Sequence, residues 1–149
     1  NGLIYAGKGV DVGIGIPEAD LHPIADKIKA AAAEHSLRLI WYTPTQYCEF
    51  NPLEKELGVK GCTAAKYNMC VEPNGDVIPC QSYYQSLGNI LTDPWDNIWQ
   101  HQVAQNLRDR TWLPEKCEGC EDVAVCGGGC PLYVNEGEYL CVESQSTAP

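Results

Sequence analysis

All nine cysteines of this 149-residue chain lie between Cys48 and Cys141, and residues 1–47 contain none. Nothing else in the sequence restricts the fold as strongly. Thiols gathered in one stretch either pair as disulfides or converge on metal. Nine is odd, so a fully paired disulfide framework leaves one thiol over. The opening residues Asn1-Gly2-Leu3-Ile4-Tyr5 have neither the basic nor the long apolar region of a secretory signal, and the missing initiator Met reads as a processed or excised chain. Metal ligation in a reducing compartment is therefore the preferred reading.

Charge narrows the partners. Ten basic residues against 20 acidic ones give a formal charge of -10. Nucleic acid and an anionic membrane surface both call for a basic face, so neither is expected as a partner. No apolar run is long enough to span a bilayer.

The change in composition near residue 45 divides the chain into 1–45 and 46–149. The first part reads as strand, helix, strand. Residues 10–16 alternate in a strand-like way, and residues 37–42 form a second short strand before Thr43-Pro44. Between them Leu21, Ile24, Ala25, Ile28, Ala31 and Ala32 recur at helical spacing. A β-α-β unit of this size is too small to bury both its faces and looks like the tail of a larger α/β domain.

The second part is irregular. Residues 67–72 and 76–79 flank Pro73-Asn74-Gly75, a hairpin signal. Thr92 or Asp93 is expected to cap a helix opening at Pro94, with Trp95, Ile98, Trp99, Val103 and Leu107 as its apolar stripe. Core packing is the ordinary role for those tryptophans. The predicted class is α+β. His22, His35 and His101 lack ligand spacing and read as surface or helix-terminal residues. Glu118, Glu121 and Asp122 read as a solvated acidic loop.

Cys117-Glu118-Gly119-Cys120, Cys126 and Cys130 follow a C-x2-C-x5-C-x3-C spacing. A C-x2-C loop presents two sulfurs toward one point, and thiolates suit zinc or iron–sulfur clusters. Gly127-Gly128-Gly129 lets the backbone bend tightly and approach a bulky inorganic group. Zinc ribbons need only two C-x2-C pairs and no glycine run, which favours a cluster over zinc. Upstream, Cys62, Gly75 and Cys80 form C-x12-G-x4-C, and Cys48 and Cys70 lie near them in sequence.

Taken together, these cysteines with the final Cys141 resemble the SPASM domain of radical S-adenosylmethionine (SAM) enzymes. All seven motif positions are present: Cys62, Cys80, Cys117, Cys120, Cys126, Cys130 and Cys141. The segments Asn74-Gly75-Asp76-Val77-Ile78-Pro79-Cys80 and Leu87-Gly88-Asn89-Ile90 are also similar. The likeness covers residues 46–141. Residues 1–45 would then be the end of the partial (β/α) barrel that precedes such a domain.

The resemblance implies two auxiliary 4Fe–4S clusters with interleaved ligands. Cys117, Cys120, Cys126 and Cys141 would hold cluster II; Cys62, Cys80 and Cys130 would hold cluster I. Cys48, in a loop, is preferred over Cys70, in a strand, as the fourth ligand of cluster I, with an open iron site as the other alternative. Cys126-x3-Cys130 is followed by Tyr133 where a SAM-cleaving C-x3-C-x2-C motif needs cysteine. SAM and a third 4Fe–4S cluster would therefore belong to an N-terminal barrel of the same parent chain. The implied function is auxiliary electron transfer and substrate positioning in radical modification of a peptide, protein or cofactor precursor. A reductant protein would be a further partner, and the setting would be cytoplasmic and anaerobic. The competing class is a redox-silent zinc-binding structural module.

Overall fold

The computed structural model describes residues 8–133 except Ile14. The chain divides into two compact units: residues up to Cys62 together with Pro114–Cys130, and Thr63–Leu113 together with the residues from Pro131 on.

The first unit is organised by one long helix. Its elements are α1 (Lys8–Val12), a 3-10 turn (Glu18–Asp20), α2 (Leu21–Glu34), a second 3-10 turn (Glu115–Cys117) and α5 (Val123–Cys126). The expected stripe makes α2, but only its first half is covered. Leu21 and Ala25 pack with Phe50 and Leu57 into a small core, edged by Ile16, Leu39 and Trp41. Ile28, on the same stripe, is exposed. The helix ends in a Schellman motif: Leu37 N–H donates to Ala32 O at 2.8 Å and Ser36 N–H to Ala33 O at 3.1 Å, with Ser36 at φ 53. Lys55 is paired to Asp26 at 2.8 Å, and Lys29 to Glu56.

The two strands expected around α2 do not form. Residues 8–12 are helical, and residues 37–42 are irregular. A strand exists through its ladder to a neighbour, and β-like sequence alone does not supply one. No described segment pairs with residues 37–42.

Glu18 fastens the 3-10 turn before α2 to the 45–49 turn. It is fully buried, and its Oε2 accepts the backbone N–H of Gln46 at 2.6 Å. Removing that acceptor strands a buried donor, so Glu18→Ala should cost about 1–3 kcal/mol in urea unfolding. An unchanged midpoint would show that water replaces the carboxylate without penalty.

The second unit holds a three-stranded antiparallel sheet in the order β1 (Cys70–Val71), β2 (Asp76–Ile78), β3 (Gly88–Asn89). The hairpin occurs where Pro73-Asn74-Gly75 predicted it, with Cys70 opposite Ile78 and Val71 opposite Val77. Gly75 N–H donates to Glu72 O at 2.9 Å and Glu72 N–H to Asp76 O at 2.8 Å. Pro73 and Asn74 thus form the corner, and Gly75, at φ 93, takes the left-handed position of a bulged three-residue loop. Val77, Ile78, Tyr83, Leu87 and Ile98 are buried in this unit.

The single helix expected after Pro94 is two: α3 (Trp95–Trp99) and α4 (Gln102–Asp109). The break has a local cause. His101 Nδ1 accepts the N–H of Val103 at 3.2 Å, so His101 caps α4. Ile98 and Leu107 of the stripe are buried, whereas Trp95 is half exposed. Trp95 and Trp99 stack with centroids 6.2 Å apart, and Arg108 lies over Trp99 at 4.3 Å. Among the described residues the architecture is mixed, with few helices and one small sheet.

Candidate metal centre

The C-x2-C segment is a turn whose geometry follows from its sequence. Cys120 N–H donates to Cys117 O at 3.3 Å, Glu118 sits at φ -65 ψ 124, and Gly119 is at φ 71. These are the angles of a type II turn, which takes glycine at its third position. Cys117 and Cys120 therefore stand at the first and fourth positions of one tight turn. Cys126 closes α5, and Gly127, Gly128 and Gly129 follow at φ 66, 82 and 83. Three successive left-handed residues are open to glycine and costly for almost anything else.

That glycine run lets the 45–49 turn come against the cysteine loop. A Cβ on Gly129 would lie 2.9 Å from Gln46 Cγ, 2.9 Å from Gln46 N and 3.0 Å from Thr45 C. Tyr47 N–H points at Cys126 Sγ, 3.4 Å away, and that sulfur lies 3.7 Å from Thr45 O. Lys116 Nζ donates to Gln46 Oε1 at 2.7 Å and stands 3.8 Å from Glu49 Oε1. Cys48, between those two residues, is exposed, Cys126 is buried and Cys117 is half-buried.

Two thiols here, Cys117 and Cys48, resist ionisation. Burial pushes Cys117 up from the usual thiol range, and the negative charges of Cys126, Cys48 and Cys120 add to the rise; Lys116 works against it. Cys48 is also raised, first by partial burial and then by the charges of Glu49 and Cys126, with Lys116 again opposing.

Gln46 was not foreseen from the sequence. It is 2% exposed, its Oε1 is held by Lys116, and its Nε2 has no partner among the described residues. A buried amide N–H2 at the edge of a thiol loop is the donor that cluster sulfurs accept. No three His, Cys, Asp or Glu side chains among the described residues converge on a point where a single ion would sit. A four-iron cluster takes one thiolate at each corner, and so suits sulfurs spread around a loop. The donor set and the orphaned amide fit such a group.

The other predicted ligands are distributed differently. Cys62 and Cys130 fall in the first unit and Cys80 in the second. Cys80 lies just beyond β2, two residues past Ile78, the cross-strand partner of Cys70. Burial raises its thiol pKa; N–H groups of Ser82 and Tyr83 oppose that, and the charge of Cys70 adds to it. Cys141 lies outside the described residues. None of the eight described cysteines is in a disulfide. His22 rests edge-on against Phe50, and His101 is a helix cap. Among the described residues no helix is long and apolar enough to cross a membrane.

The glycine-hinged thiol loop and the unsatisfied amide beside it suit an iron–sulfur cluster. Residues 62–121 match the SPASM family, an iron–sulfur cluster-binding domain. The matched span includes Cys62, Cys70, Cys80, Cys117 and Cys120, and stops short of Cys126. The chain is 36% identical over 87 residues to the AdoMet-dependent heme synthase of Methanosarcina barkeri, covering 57% of this chain and 25% of that protein. It is 34% identical over 65 residues to the PqqA peptide cyclase of Xanthomonas campestris pv. campestris, covering 40% and 17%. A PqqA peptide cyclase of Rhizobium meliloti is 28% identical over 124 residues, covering 77% and 31%. The chain thus spans about a third or less of the length of these relatives. No solved structure matches it.

Proposed function

We propose that this chain is the auxiliary-cluster end of a radical SAM enzyme. It would bind two 4Fe–4S clusters, with Cys117, Cys120, Cys126 and Cys141 holding one and Cys62, Cys80 and Cys130 belonging to the other. The reading rests above all on the loop that carries Cys117, Cys120 and Cys126 against the buried amide of Gln46. When bound, such clusters supply one-electron chemistry close to a substrate. The polypeptide's part is to place thiolates, donate hydrogen bonds to the sulfurs and keep water from the buried side of the loop. Lys116 offsets thiolate charge, and the glycine run permits the close approach.

Residues 1–45 are read as the end of the preceding barrel. The exposed Ile28, Leu37, Ile40 and Tyr42 support this, because apolar side chains left bare in one region mark a surface that another segment covers. The covering partner is the N-terminal barrel of the same polypeptide, which would carry SAM and the third cluster. The names of the relatives point to a peptide or a haem-related precursor as the class of substrate. A cytoplasmic, anaerobic setting with a reductant protein follows from that role.

The test is anaerobic reconstitution of the full-length protein with iron and sulfide. Brown protein with broad visible–near-UV absorption and matched iron and sulfide is expected. Colourless protein holding zinc and no sulfide would overturn the proposal in favour of a structural zinc module.

A further inference from the structure

We propose that the side-chain amide of Gln46 donates to a sulfur of the cluster held by Cys117, Cys120 and Cys126 and so raises its reduction potential, with Lys116 as the positioning residue that fixes the amide. This rests on the reading that those cysteines hold a cluster.

Gln46 has one unmet polar group, and its neighbours decide which. Its backbone N–H donates to the buried Glu18 carboxylate at 2.6 Å. Its backbone O accepts from Glu49 N–H and Phe50 N–H, both at 2.8 Å. Its Oε1 accepts from Lys116 Nζ at 2.7 Å. An ammonium group only donates, so Lys116 takes the amide oxygen and turns the nitrogen away. The amide cannot flip without losing that bond, and Nε2 has no partner among the described residues. Gln46 is almost fully buried, so its two amide hydrogens do not face open water. Folded chains rarely leave such a donor unmatched, because its desolvation then goes uncompensated.

The acceptor is supplied by the loop beside it. Thr45 O lies 3.7 Å from Cys126 Sγ, and Tyr47 N–H points at the same sulfur from 3.4 Å. The residues on both sides of Gln46 therefore touch one thiol. The Gln46 side chain lies against Gly129, where a Cβ would stand 2.9 Å from its Cγ, and ends at Lys116, which adjoins Cys117. The amide is thus held against the loop that carries Cys117 and Cys126, and a cluster there brings thiolate and sulfide acceptors. A donor to those sulfurs stabilises the reduced cluster more than the oxidised one, because reduction adds negative charge to it. No bond or proton is exchanged. One electron enters or leaves with or without the amide, and only the potential differs.

The test is a potentiometric titration of the full-length reconstituted protein with dithionite, read by electron paramagnetic resonance, with iron and sulfide counted first. Cys117→Ala identifies the cluster concerned by the signal that it removes. Gln46→Met keeps the length of the side chain and removes the amide. The potential of that cluster should fall, with its redox equilibrium displaced about tenfold toward the oxidised form, or about 59 mV for one electron. An exchangeable-proton coupling on its signal should weaken in pulsed spectra. Gln46→Glu, close in shape, serves if Gln46→Met does not load iron; an ionised carboxylate donates nothing and adds negative charge, so its potential should fall further. Lys116→Met should also lower the potential, and Lys116→Arg should restore it. The double variant Gln46→Met, Lys116→Met should shift less than the two single shifts together, because a freed amide no longer donates well. Additive shifts would overturn the positioning role of Lys116. Unchanged potentials at full iron load in the Gln46 variants would overturn the inference and leave the cluster reading intact. Loss of the cluster from both Gln46 variants would give Gln46 a structural role and overturn the inference as well. Wild-type protein that takes up zinc and no sulfide would overturn both the inference and the reading beneath it.

Discussion

Gly129→Ala is expected to destabilise the protein by roughly 2–5 kcal/mol, against about 1–2 kcal/mol for Gly119→Ala. Both glycines sit in the left-handed region, at φ 83 and φ 71, so a Cβ carries a similar backbone penalty at either. The difference lies in what the methyl meets. At Gly119 nothing lies within 4 Å. At Gly129 two of the three nearest atoms belong to the backbone of Gln46 and Thr45, at 2.9 and 3.0 Å respectively, and these cannot swing aside as a flexible side chain would. The 45–49 turn must move as a body. Its movement strains the Glu18 bond to Gln46 and parts Tyr47 N–H from Cys126. Iron content should therefore fall in Gly129→Ala and stay near wild type in Gly119→Ala. Urea unfolding and iron per chain, measured on both variants, check this. Equal costs would mean that the turn yields freely and that the glycine run serves backbone conformation alone.

What could be read from sequence follows how local each cause is. The first half of α2 was legible because its stripe is set by neighbours three and four positions apart. The hairpin was legible because Pro73, Asn74 and Gly75 determine their own turn. The C-x2-C turn was legible for the same reason. Residues 10–16 and 37–42 were misread because alternation suits a strand without guaranteeing a partner. The stripe from Trp95 to Leu107 hid a break, because periodicity survives a one-residue cap at His101. The supporting residues of the site were invisible. Gln46 meets Lys116 from 70 positions away and Glu18 from 28, and no local pattern marks such pairs. Lys116 carried one weak signal, its place beside Cys117.

Stripping iron from the loaded protein is expected to lower its stability by several kcal/mol, with the loss growing as pH rises. Among the described residues, regular structure in the first unit beyond α2 is limited to α1, α5 and two short 3-10 turns. A domain with so little secondary structure draws folding free energy from its metal, as small metal-bound domains do. The pH dependence has two parts with the same sign. In the iron-free chain the thiols of Cys117, Cys80 and Cys48 are raised by burial above the usual thiol value. The folded chain therefore holds those protons more tightly than the unfolded chain. That contribution is fully present below the unfolded thiol pKa and is lost as pH climbs through the raised values. Iron, in contrast, binds thiolates and displaces protons, so loading strengthens as pH rises. Iron-free protein should weaken as pH rises above the unfolded thiol value of about 8.5 while loaded protein holds, and the gap between their unfolding midpoints should widen. Limited proteolysis should follow the same course, with cuts after iron removal falling in residues 45–62 and 114–130 before α2. A gap that stays constant or narrows over this range would show that iron does not hold the first unit through these thiolates.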